Sequence, residues 1–350
     1  MQFLHHGYLL LPQNRPPVLE RLNAYFKIYQ GASPVDRTGT IHFPTRMKSV
    51  FQLPMLRSFQ ASYEDVCDQR AVFLLRLASH LGVEIYVFWS GGVDSTCALI
   101  SLLKHCHEYD RIIVLLTENS ILEYPLFYSR HIRGKLPYRS ATLLGDLFTM
   151  RALIVNGEHN DQLFGSDIIA DAIALFGIEA VTGRLQRELL TSLFEVKLEG
   201  DRDTALFLSG LFGRLVETAP LPLKTNFDLL WWINFALKWQ TVYMRSLIFS
   251  KGKLSPQHIA TYYHPFFNTT EFQLWSMNNP DKRITNHWRT YKWPAKKLIY
   301  DFTKDADYRD NKIKRRSLQS LVAGNPYHKF LDETFVFREQ MDWYQPQNDF

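Results

Sequence analysis

The architecture is indicated most clearly by the stretch Ile85-Tyr86-Val87-Phe88-Trp89-Ser90-Gly91-Gly92-Val93-Asp94-Ser95. Its first five residues are β-branched or aromatic and carry no charge, which predicts a buried strand over 84–89. The residues from Thr96 to His107 repeat apolar side chains at helical spacing, which predicts an amphipathic helix. The sequence therefore predicts a strand, a tight turn and a helix in direct succession.

The turn from Ser90 to Ser95 has the composition of an anion site. Backbone N–H groups at a helix start converge on one place, and the helix dipole adds partial positive charge there. Gly91 and Gly92 let the backbone approach a phosphate with no Cβ in the way. Asp94 would repel a bare phosphate, so it indicates a bridging Mg²⁺ that binds carboxylate and phosphate oxygens together. The turn predicts a nucleotide site that releases pyrophosphate.

Further apolar runs continue the alternation of strands and helices. The runs 112–116 and 152–156 predict two more buried strands, and a helix is predicted over 140–147. Strands separated by helices pair in parallel through right-handed crossovers, so we expect an α/β fold with a doubly wound parallel sheet. Ligands bind such sheets beyond the carboxyl ends of the strands. The turns after residues 89 and 156 should therefore face one crevice.

The remainder of the chain divides by composition. Prolines break residues 1–75 into short pieces around a helix near 19–29, and another helix is predicted over 63–81. We expect a small N-terminal segment (1–75), an ATP-binding domain (76–200) and a mostly helical C-terminal region (201–350) that completes the site. The apolar spacing after residue 167 predicts helices over 168–176, 184–198, 204–217, 226–249 and 293–303.

The bulk composition is typical of a globular protein and argues against a membrane-spanning one. The chain has 350 residues, 46% of them hydrophobic and 21% charged, as in ordinary globular proteins. A net charge of +5 permits an anionic ligand without demanding nucleic acid. Three cysteines without a C-x-x-C pair fit a reducing cytoplasm, and Cys97 and Cys106 are expected in the core. No signal-peptide pattern and no run of about 18 apolar residues occur, so no membrane span is expected.

The turn also carries a family resemblance. Ser90-Gly91-Gly92-Val93-Asp94-Ser95 resembles the signature of the PP-loop ATP pyrophosphatases, of the adenine nucleotide alpha hydrolase-like fold, which cleave ATP between the α- and β-phosphates. The Walker A pattern G-x-x-x-x-G-K-[ST] does not occur. The resemblance implies ATP and Mg²⁺ as cofactors, Asp94 as a metal ligand, and ATP contacts from Ser90, Gly91, Gly92, Asp94 and Ser95.

A second motif narrows the resemblance. Residues 156–165, Asn-Gly-Glu-His-Asn-Asp-Gln-Leu-Phe-Gly, resemble the G-E-x-x-D-E-[LV]-F-G segment of asparagine synthetase, β-lactam synthetase and lasso-peptide cyclases. The resemblance implies that Gly157 contacts the nucleotide and that Asp161 joins Asp94 around Mg²⁺. Glu158 would accept a proton from an attacking amine. The alternative is that Glu158 and Asp161 only cap a helix starting at Gln162.

Two departures from the family pattern leave alternatives open. His159 stands where the family has glycine, and it is either a contact to a different substrate or a solvated turn histidine. Gln162 replaces a glutamate. The segment 263–268, Tyr-His-Pro-Phe-Phe-Asn, resembles the R-x-P-F-L-D segment near the acceptor pocket, with both charges lost. That loss argues against aspartate as the substrate; alternatively, the segment is an apolar turn packed on the sheet.

The family also has an active-site lysine in an R-x-K segment, which stabilises developing negative charge. The basic run 312–316 resembles this segment, and Lys314 is the first choice ahead of Lys312 and Arg316. The run is alternatively a solvated basic face or a nucleic-acid patch. By analogy, adenine would rest against residues 115–117, which makes Leu116 a nucleotide contact.

We therefore expect an ATP-dependent, AMP-forming C–N ligase similar to asparagine synthetase. Its partners would be a small-molecule or peptide carboxylate and an amine donor. Residues 1–75 are too few for the glutaminase domain of asparagine synthetase, so the amine would come from solution, a partner or the substrate itself. Two alternatives stay open: a nucleic-acid-modifying PP-loop enzyme, which the composition permits but does not favour, and a catalytically inactive nucleotide-binding scaffold. The sequence does not fix the oligomeric state.

Overall fold

The computed structural model describes residues 24, 28, 35–41, 49–141, 147, 149–165, 167–245, 247, 255–285 and 287–312. These residues form two compact units, each discontinuous in sequence. The sheet unit comprises the described residues of 58–160 and 255–312, and the helical unit comprises those up to 57 and those of 161–247. The three consecutive segments expected from the sequence stay a prediction.

The sheet unit has an α/β architecture with a four-stranded parallel sheet in the order β3-β2-β1-β4. The chain runs outward from β1 to β3 and then returns to the other side of β1, an order compatible with a doubly wound fold. Its first elements are α1 (Tyr63–Leu81), β1 (Ile85–Phe88), α2 (Val93–His105), β2 (Ile112–Leu116), α3 (Glu118–Glu123), α4 (Pro125–Phe127), β3 (Tyr138–Ser140) and β4 (Leu153–Val155).

Burial separates the inner strands from the edge strand. Every residue of β1, β2 and β4 is buried, as expected for parallel strands covered on both faces, and their positions confirm the three predicted strands. β3 is exposed along its whole length. The sequence did not predict β3, because three exposed residues give no apolar run. The helix predicted over 140–147 is wrong at Ser140, which belongs to β3; residues 142–146 lie outside the described residues.

The helices of the sheet unit form a layer around α2. α1 begins with a capping box between Ser62 and Asp65 and ends at Gly82 in the left-handed conformation (φ 64°), which confirms the helix predicted over 63–81. Helix α14 (Trp293–Thr303) packs against α1 and α2 and confirms the helix predicted over 293–303. The later elements are α12 (Pro256–Tyr262), α13 (Thr270–Asn278), α14 (Trp293–Thr303) and α15 (Ala306–Asn311).

The helical unit is built around α10 (Asn226–Leu237), whose aromatic residues Trp231, Trp232 and Phe235 are fully buried. The helix predicted over 226–249 is instead two helices, since α10 ends at Leu237 and the next helix begins at Trp239. The chain enters the unit through α5 (Asn160–Phe164), which begins in the sheet unit, and continues through α6 (Asp167–Phe176), α7 (Ile178–Thr182), α8 (Arg187–Lys197), α9 (Arg202–Glu217), α10 (Asn226–Leu237) and α11 (Trp239–Arg245).

Two expectations from composition are tested by the structure. Within the described ranges, none of the helices combines the length and apolarity needed to cross a membrane. Cys97 is a fully buried free thiol on α2, as predicted. Cys106 is only half-buried, because it lies at the C-cap of α2 rather than on its packed face, so its prediction as a core residue is wrong.

Candidate functional site

The turn Ser90–Ser95 leaves the carboxyl end of β1 and leads directly into α2. Gly92 is the N-cap of α2, so the helix starts at Val93, earlier than predicted. The Ser90 N–H donates to Ser95 Oγ at 3.0 Å, and the two serine hydroxyl oxygens are 2.9 Å apart. Because glycine has no side chain to cap the helix, the N–H groups of its first turn have no side-chain cap.

Two glycines allow other segments to contact this turn closely. Gly91 has φ 75°, and a Cβ there would lie 2.5 Å from the Ser120 carbonyl oxygen and 2.8 Å from Glu123 Cβ. A Cβ on Gly157 would lie 2.7 Å from the Ser95 nitrogen. Only glycine fits at either position without movement of the backbone. The turn after β4, which holds Gly157, is therefore packed directly on the Ser90–Ser95 turn.

Asp94 accepts hydrogen bonds from Asn160 and Lys292. Asn160 Nδ2 donates to Asp94 Oδ1 at 2.7 Å. Lys292 Nζ donates to both carboxylate oxygens, at 2.7 and 2.6 Å. The Lys292 side chain is 4% exposed and that of Asp94 24%. A charged pair this close and this buried is a defining feature of the site.

Sequence reasoning missed Lys292, although one signal was present. Lys292 is the N-cap of α14 and has φ 60°, a left-handed conformation that lysine rarely adopts. Pro294, in the first turn, marks a helix start in the sequence, and lysine is an unusual residue to precede one. Strained backbone of this kind is often found where a side chain must be held for function.

Two further lysines lie in the same unit. Lys312 forms an ion pair with Glu123, and both side chains are 10% exposed. Lys296 Nζ donates to the carbonyl oxygens of Arg289 at 2.8 Å and Lys312 at 2.7 Å. Burial, and then the charges of Lys292 and Lys312, lower the pKa of Lys296 to about 8.

Of the three basic candidates from the sequence, the structure therefore describes only Lys312. Lys312 contacts Glu123, whose Cβ borders Gly91, so Lys312 lies beside the Ser90–Ser95 turn. Lys314 and Arg316 lie outside the described residues. The choice of Lys314 as the active-site lysine stays a prediction, and Lys292 and Lys312 are the lysines that the described structure places by the turn.

Helix α15 is attached to the turn through Tyr308. The Tyr308 hydroxyl donates to the Gly91 carbonyl oxygen at 2.9 Å, and its ring stacks on Tyr124 with 3.8 Å between centroids. The Tyr124 hydroxyl donates to Asp305 Oδ2 at 3.0 Å. Burial raises the pKa of Tyr308 well above its usual value, so its hydroxyl stays protonated and keeps donating.

The second motif is divided between the two units. Glu158, in the sheet unit, is half-buried, and its N–H donates to Asn156 Oδ1 at 3.1 Å. Asp161, in the helical unit, lies in the first turn of α5, and its carbonyl oxygen accepts from Asn234 Nδ2 at 3.4 Å. The helix begins at Asn160, before the Gln162 start that the capping alternative assumed. Glu158 as base and Asp161 as metal ligand stay predictions.

His159 is not the solvated turn histidine that one interpretation predicted. It is only 1% exposed, so that interpretation is wrong. Its φ of 76° explains why the family has glycine at this position, because glycine adopts a left-handed backbone without strain. Gln162 is likewise buried, at 2% exposure. The chain therefore departs from the family pattern at buried positions.

The segment 263–268 runs beside β4. Tyr263 forms a parallel bridge with Ile154, and the His264 N–H donates to the Ile154 carbonyl oxygen at 2.8 Å. Phe266 and Phe267 are fully buried, which confirms that this apolar segment packs on the sheet. The Tyr263 hydroxyl also accepts from Asn156 Nδ2 at 3.0 Å. A role in an acceptor pocket stays a prediction.

Leu116, the predicted adenine contact, is the last residue of β2 and is buried. Its carbonyl oxygen accepts the Ala141 N–H at 2.9 Å. Thr117 follows and caps α3, with its side chain accepting from the Ser120 N–H. These contacts position residues 115–117 at the carboxyl edge of the sheet, and the adenine contact itself stays a prediction.

Asp94 fits a Mg²⁺ ion held jointly with nucleotide phosphates. A carboxylate offers about four lone-pair positions, and three hydrogen bonds already use Asp94, so one position on Oδ2 is left. Mg²⁺ is commonly bound by one or two carboxylates plus substrate phosphates. In the part of the chain that the structure describes, no group of three or more His, Cys, Asp or Glu side chains is placed to hold a metal ion.

Comparison with known proteins assigns no family. No family model matches the chain, and no curated protein matches it. The geometry of the sheet unit is therefore the basis for inferring a function.

Proposed function

We propose that this chain is an ATP-dependent C–N ligase of the PP-loop type. It cleaves ATP between the α- and β-phosphates, activates a carboxylate as an acyl-adenylate and forms an amide or related bond, as asparagine synthetases do. The observation that supports this most is the contact between two turns. The turn after β4 packs on Ser90–Ser95 through Gly157, and Asn160 bonds to Asp94.

The position of these turns suits a nucleotide. They follow β1 and β4, which are neighbours in the sheet although they are distant in sequence. The order of the strands reverses at this point, and parallel α/β sheets bind ligands in the crevice that such a reversal opens. The first-turn N–H groups of α2 are donors that a β- or γ-phosphate would reach first. The hydroxyls of Ser90 and Ser95 bond to each other, that of Ser95 also bonds to the Gly92 carbonyl oxygen, and both would turn to the phosphates when a nucleotide binds.

Positive charge lies beside these donors. Lys292 contacts Asp94, and a phosphate arriving at the turn would offer its ammonium a second anion. Mg²⁺ at Asp94 would supply further charge neutralisation for the leaving pyrophosphate. Both contributions would stabilise the negative charge that develops on a departing pyrophosphate.

The chemistry proceeds in two steps. A carboxylate oxygen of the substrate bonds to the α-phosphorus, and the bond to the bridging oxygen breaks, which releases pyrophosphate. An amine nitrogen then bonds to the acyl carbon, AMP leaves with the electron pair, and Glu158 takes the amine proton. The negative charge on the acyl oxygen requires a nearby cation, for which Lys312 is the described candidate and Lys314 the sequence candidate.

The test is exchange of labelled pyrophosphate into ATP by the purified full chain with MgCl₂ and pooled carboxylates. We expect exchange with at least one pool, and AMP rather than ADP as the nucleotide product. Asp94→Asn should lower the exchange rate by about 10²- to 10³-fold, as does removal of a key electrostatic group from other active sites. Asp203→Asn, on an exposed part of α9, is the matched control and should leave the rate unchanged.

Two results would contradict the proposal. Formation of ADP and phosphate would place the cleavage at the wrong bond. ATP binding without exchange in any pool would instead favour the nucleotide-binding scaffold.

A further inference from the structure

The segment around β3 carries an unusual concentration of positive charge. Residues 124–145 contain no Asp or Glu, and they include four lysines and arginines within ten positions. These four cations and two neighbouring tyrosines of the sheet unit form a group that we call the basic strip. Its members are Tyr128, Arg130, Arg133, Lys135, Tyr138 and Arg139. The donors proposed for the nucleotide phosphates, in the Ser90–Ser95 turn and the first turn of α2, lie outside the strip.

The cations of the strip are available to a partner. Arg130, Arg133, Lys135 and Arg139 are all exposed. Arg130, Arg133 and Lys135 form no ion pair with any other described residue. Burial, and then the charges of Lys135 and Arg130, lower the pKa of His131, so both cations lie close enough to this imidazole to act on it. Exposed charge of one sign, left without counter-charges, is typical of a surface that binds a polyanion.

One of the two aromatic residues of the strip is exposed, and the other, Tyr128, is half-buried. Tyr138 is 47% exposed on the edge strand β3. Its hydroxyl accepts from the Tyr128 hydroxyl at 3.4 Å, and the two rings are 6.0 Å apart in an edge-to-face arrangement. Tyr128 begins a π-helical turn, Tyr128–Ile132, a local structure often found at functional sites. An exposed ring fixed between cations is the arrangement on which unpaired bases stack.

The strip reaches the edge of the sheet where the nucleotide turn lies. Arg139 is in register with Leu115 on β2, and Leu115 is in register with Phe88 on β1. Two strand spacings separate Arg139 from Phe88, which is roughly 10 Å between their Cα atoms. A polyanion bound to the strip would therefore pass close to the start of the Ser90–Ser95 turn.

We propose that the basic strip binds a single-stranded nucleic acid, with its phosphates on the four cations and a base stacked on Tyr138. The exposed tyrosine favours this partner over an acidic polypeptide, which has no base to stack. Binding in this mode needs neither ATP nor a carboxylate substrate. The inference therefore goes beyond the proposed ligase chemistry and stands or falls separately from it.

The experiment measures fluorescence anisotropy of labelled single-stranded RNA and DNA of about 12 nucleotides, titrated with the full chain between about 50 and 300 mM KCl. The triple variant Arg130→Gln/Arg133→Gln/Lys135→Gln removes three phosphate contacts. We expect the slope of log affinity against log salt to become less negative by about 2, and the affinity at 0.1 M salt to fall about 100-fold.

Matched variants separate the strip from general charge effects. Arg76→Gln/Arg184→Gln/Lys224→Gln removes the same charge from exposed positions elsewhere and should leave affinity within about twofold. Tyr138→Leu should weaken binding about tenfold through lost stacking. Tyr138→Phe keeps the ring and should bind like the parent chain.

Three results would overturn the inference. The first is failure of the parent chain to bind either oligonucleotide at the lowest salt. The second is an equal loss of affinity in the control triple variant. The third is equal binding of poly-glutamate together with no effect of Tyr138→Leu, which would make the strip a docking surface for an acidic protein. Pyrophosphate exchange, measured on the same preparations, reports on the ligase proposal separately.

Discussion

Two buried cations, one in the helical unit and one in the sheet unit, have different kinds of partner. In the helical unit, the guanidinium of Arg37, a residue 7% exposed, donates to the carbonyl oxygens of Phe51, Gln52 and Phe235 at 2.8, 3.0 and 3.1 Å. In the sheet unit, the Lys292 ammonium contacts the Asp94 carboxylate instead. Carbonyl groups belong to the backbone and hold a cation permanently. A carboxylate on a turn can exchange its cation for another ligand, which suits a binding site.

Positive φ at non-glycine residues occurs in two settings. Among the described residues, Glu199 of the helical unit and Lys304 of the sheet unit are exposed beside helix ends. His159 and Lys292, both in the sheet unit, have positive φ but are buried beside the candidate site. Strain at an exposed helix end is a common way to terminate a helix. Strain at buried residues persists only where surrounding contacts hold it.

Substitution of Arg37 should change the free energy of unfolding more than any other change considered below. Arg37→Met leaves three carbonyl groups without their donor, that of Phe235 buried and those of Phe51 and Gln52 part-buried, and should lower the free energy of unfolding by about 3–5 kcal/mol. Arg37→Lys should rescue little, because one ammonium cannot reach three carbonyls arranged around a planar fork. Urea denaturation measures both variants, with exposed Arg76→Met as the control. A loss below about 1 kcal/mol in Arg37→Met would show that the carbonyl cradle is not a structural requirement.

The Asp94–Lys292 pair should show a smaller and asymmetric effect. Asp94→Asn removes the carboxylate from a lysine that is 4% exposed, whereas Lys292→Met leaves an aspartate that is 24% exposed and still bonded to Asn160. Asp94→Asn should therefore destabilise more than Lys292→Met. The double variant should recover part of the loss, with a coupling energy of about 2–3 kcal/mol in urea denaturation. Additive single effects would show that the pair is not coupled.

The sequence predicts the parts of this site that depend on local pattern. β1, the Ser90–Ser95 turn and α2 are recognised from one continuous stretch, because strand, glycine and helix signals stand next to each other. β3 was missed because its three residues are all exposed. Lys292 was missed because it lies 198 residues from Asp94 in sequence, and only the packing of α14 on α2 brings them together.

The smallest effect concerns Lys296, a buried cation of the sheet unit held by carbonyl groups as Arg37 is. Burial, followed by the charges of Lys292 and Lys312, lowers its pKa to about 8, whereas the unfolded value is 10.5. Between these values the unfolded chain binds a proton that the folded chain has released, so unfolding becomes less favourable as pH rises. Below pH 8 both states are protonated, and the contribution is constant.

The pH dependence is measured as the difference in free energy of unfolding between the parent chain and Lys296→Met. This difference should shift by about 2 kcal/mol in favour of the parent chain between pH 8 and pH 10. Lys297→Met is the matched control, because Lys297 is exposed and Asp301 raises its pKa above the usual value, so its charge does not change in that window. A flat difference for Lys296→Met would mean that its ammonium keeps its proton. Lys296 would then be a permanently charged cation held by carbonyl groups, and the resemblance to Arg37 would extend from geometry to charge.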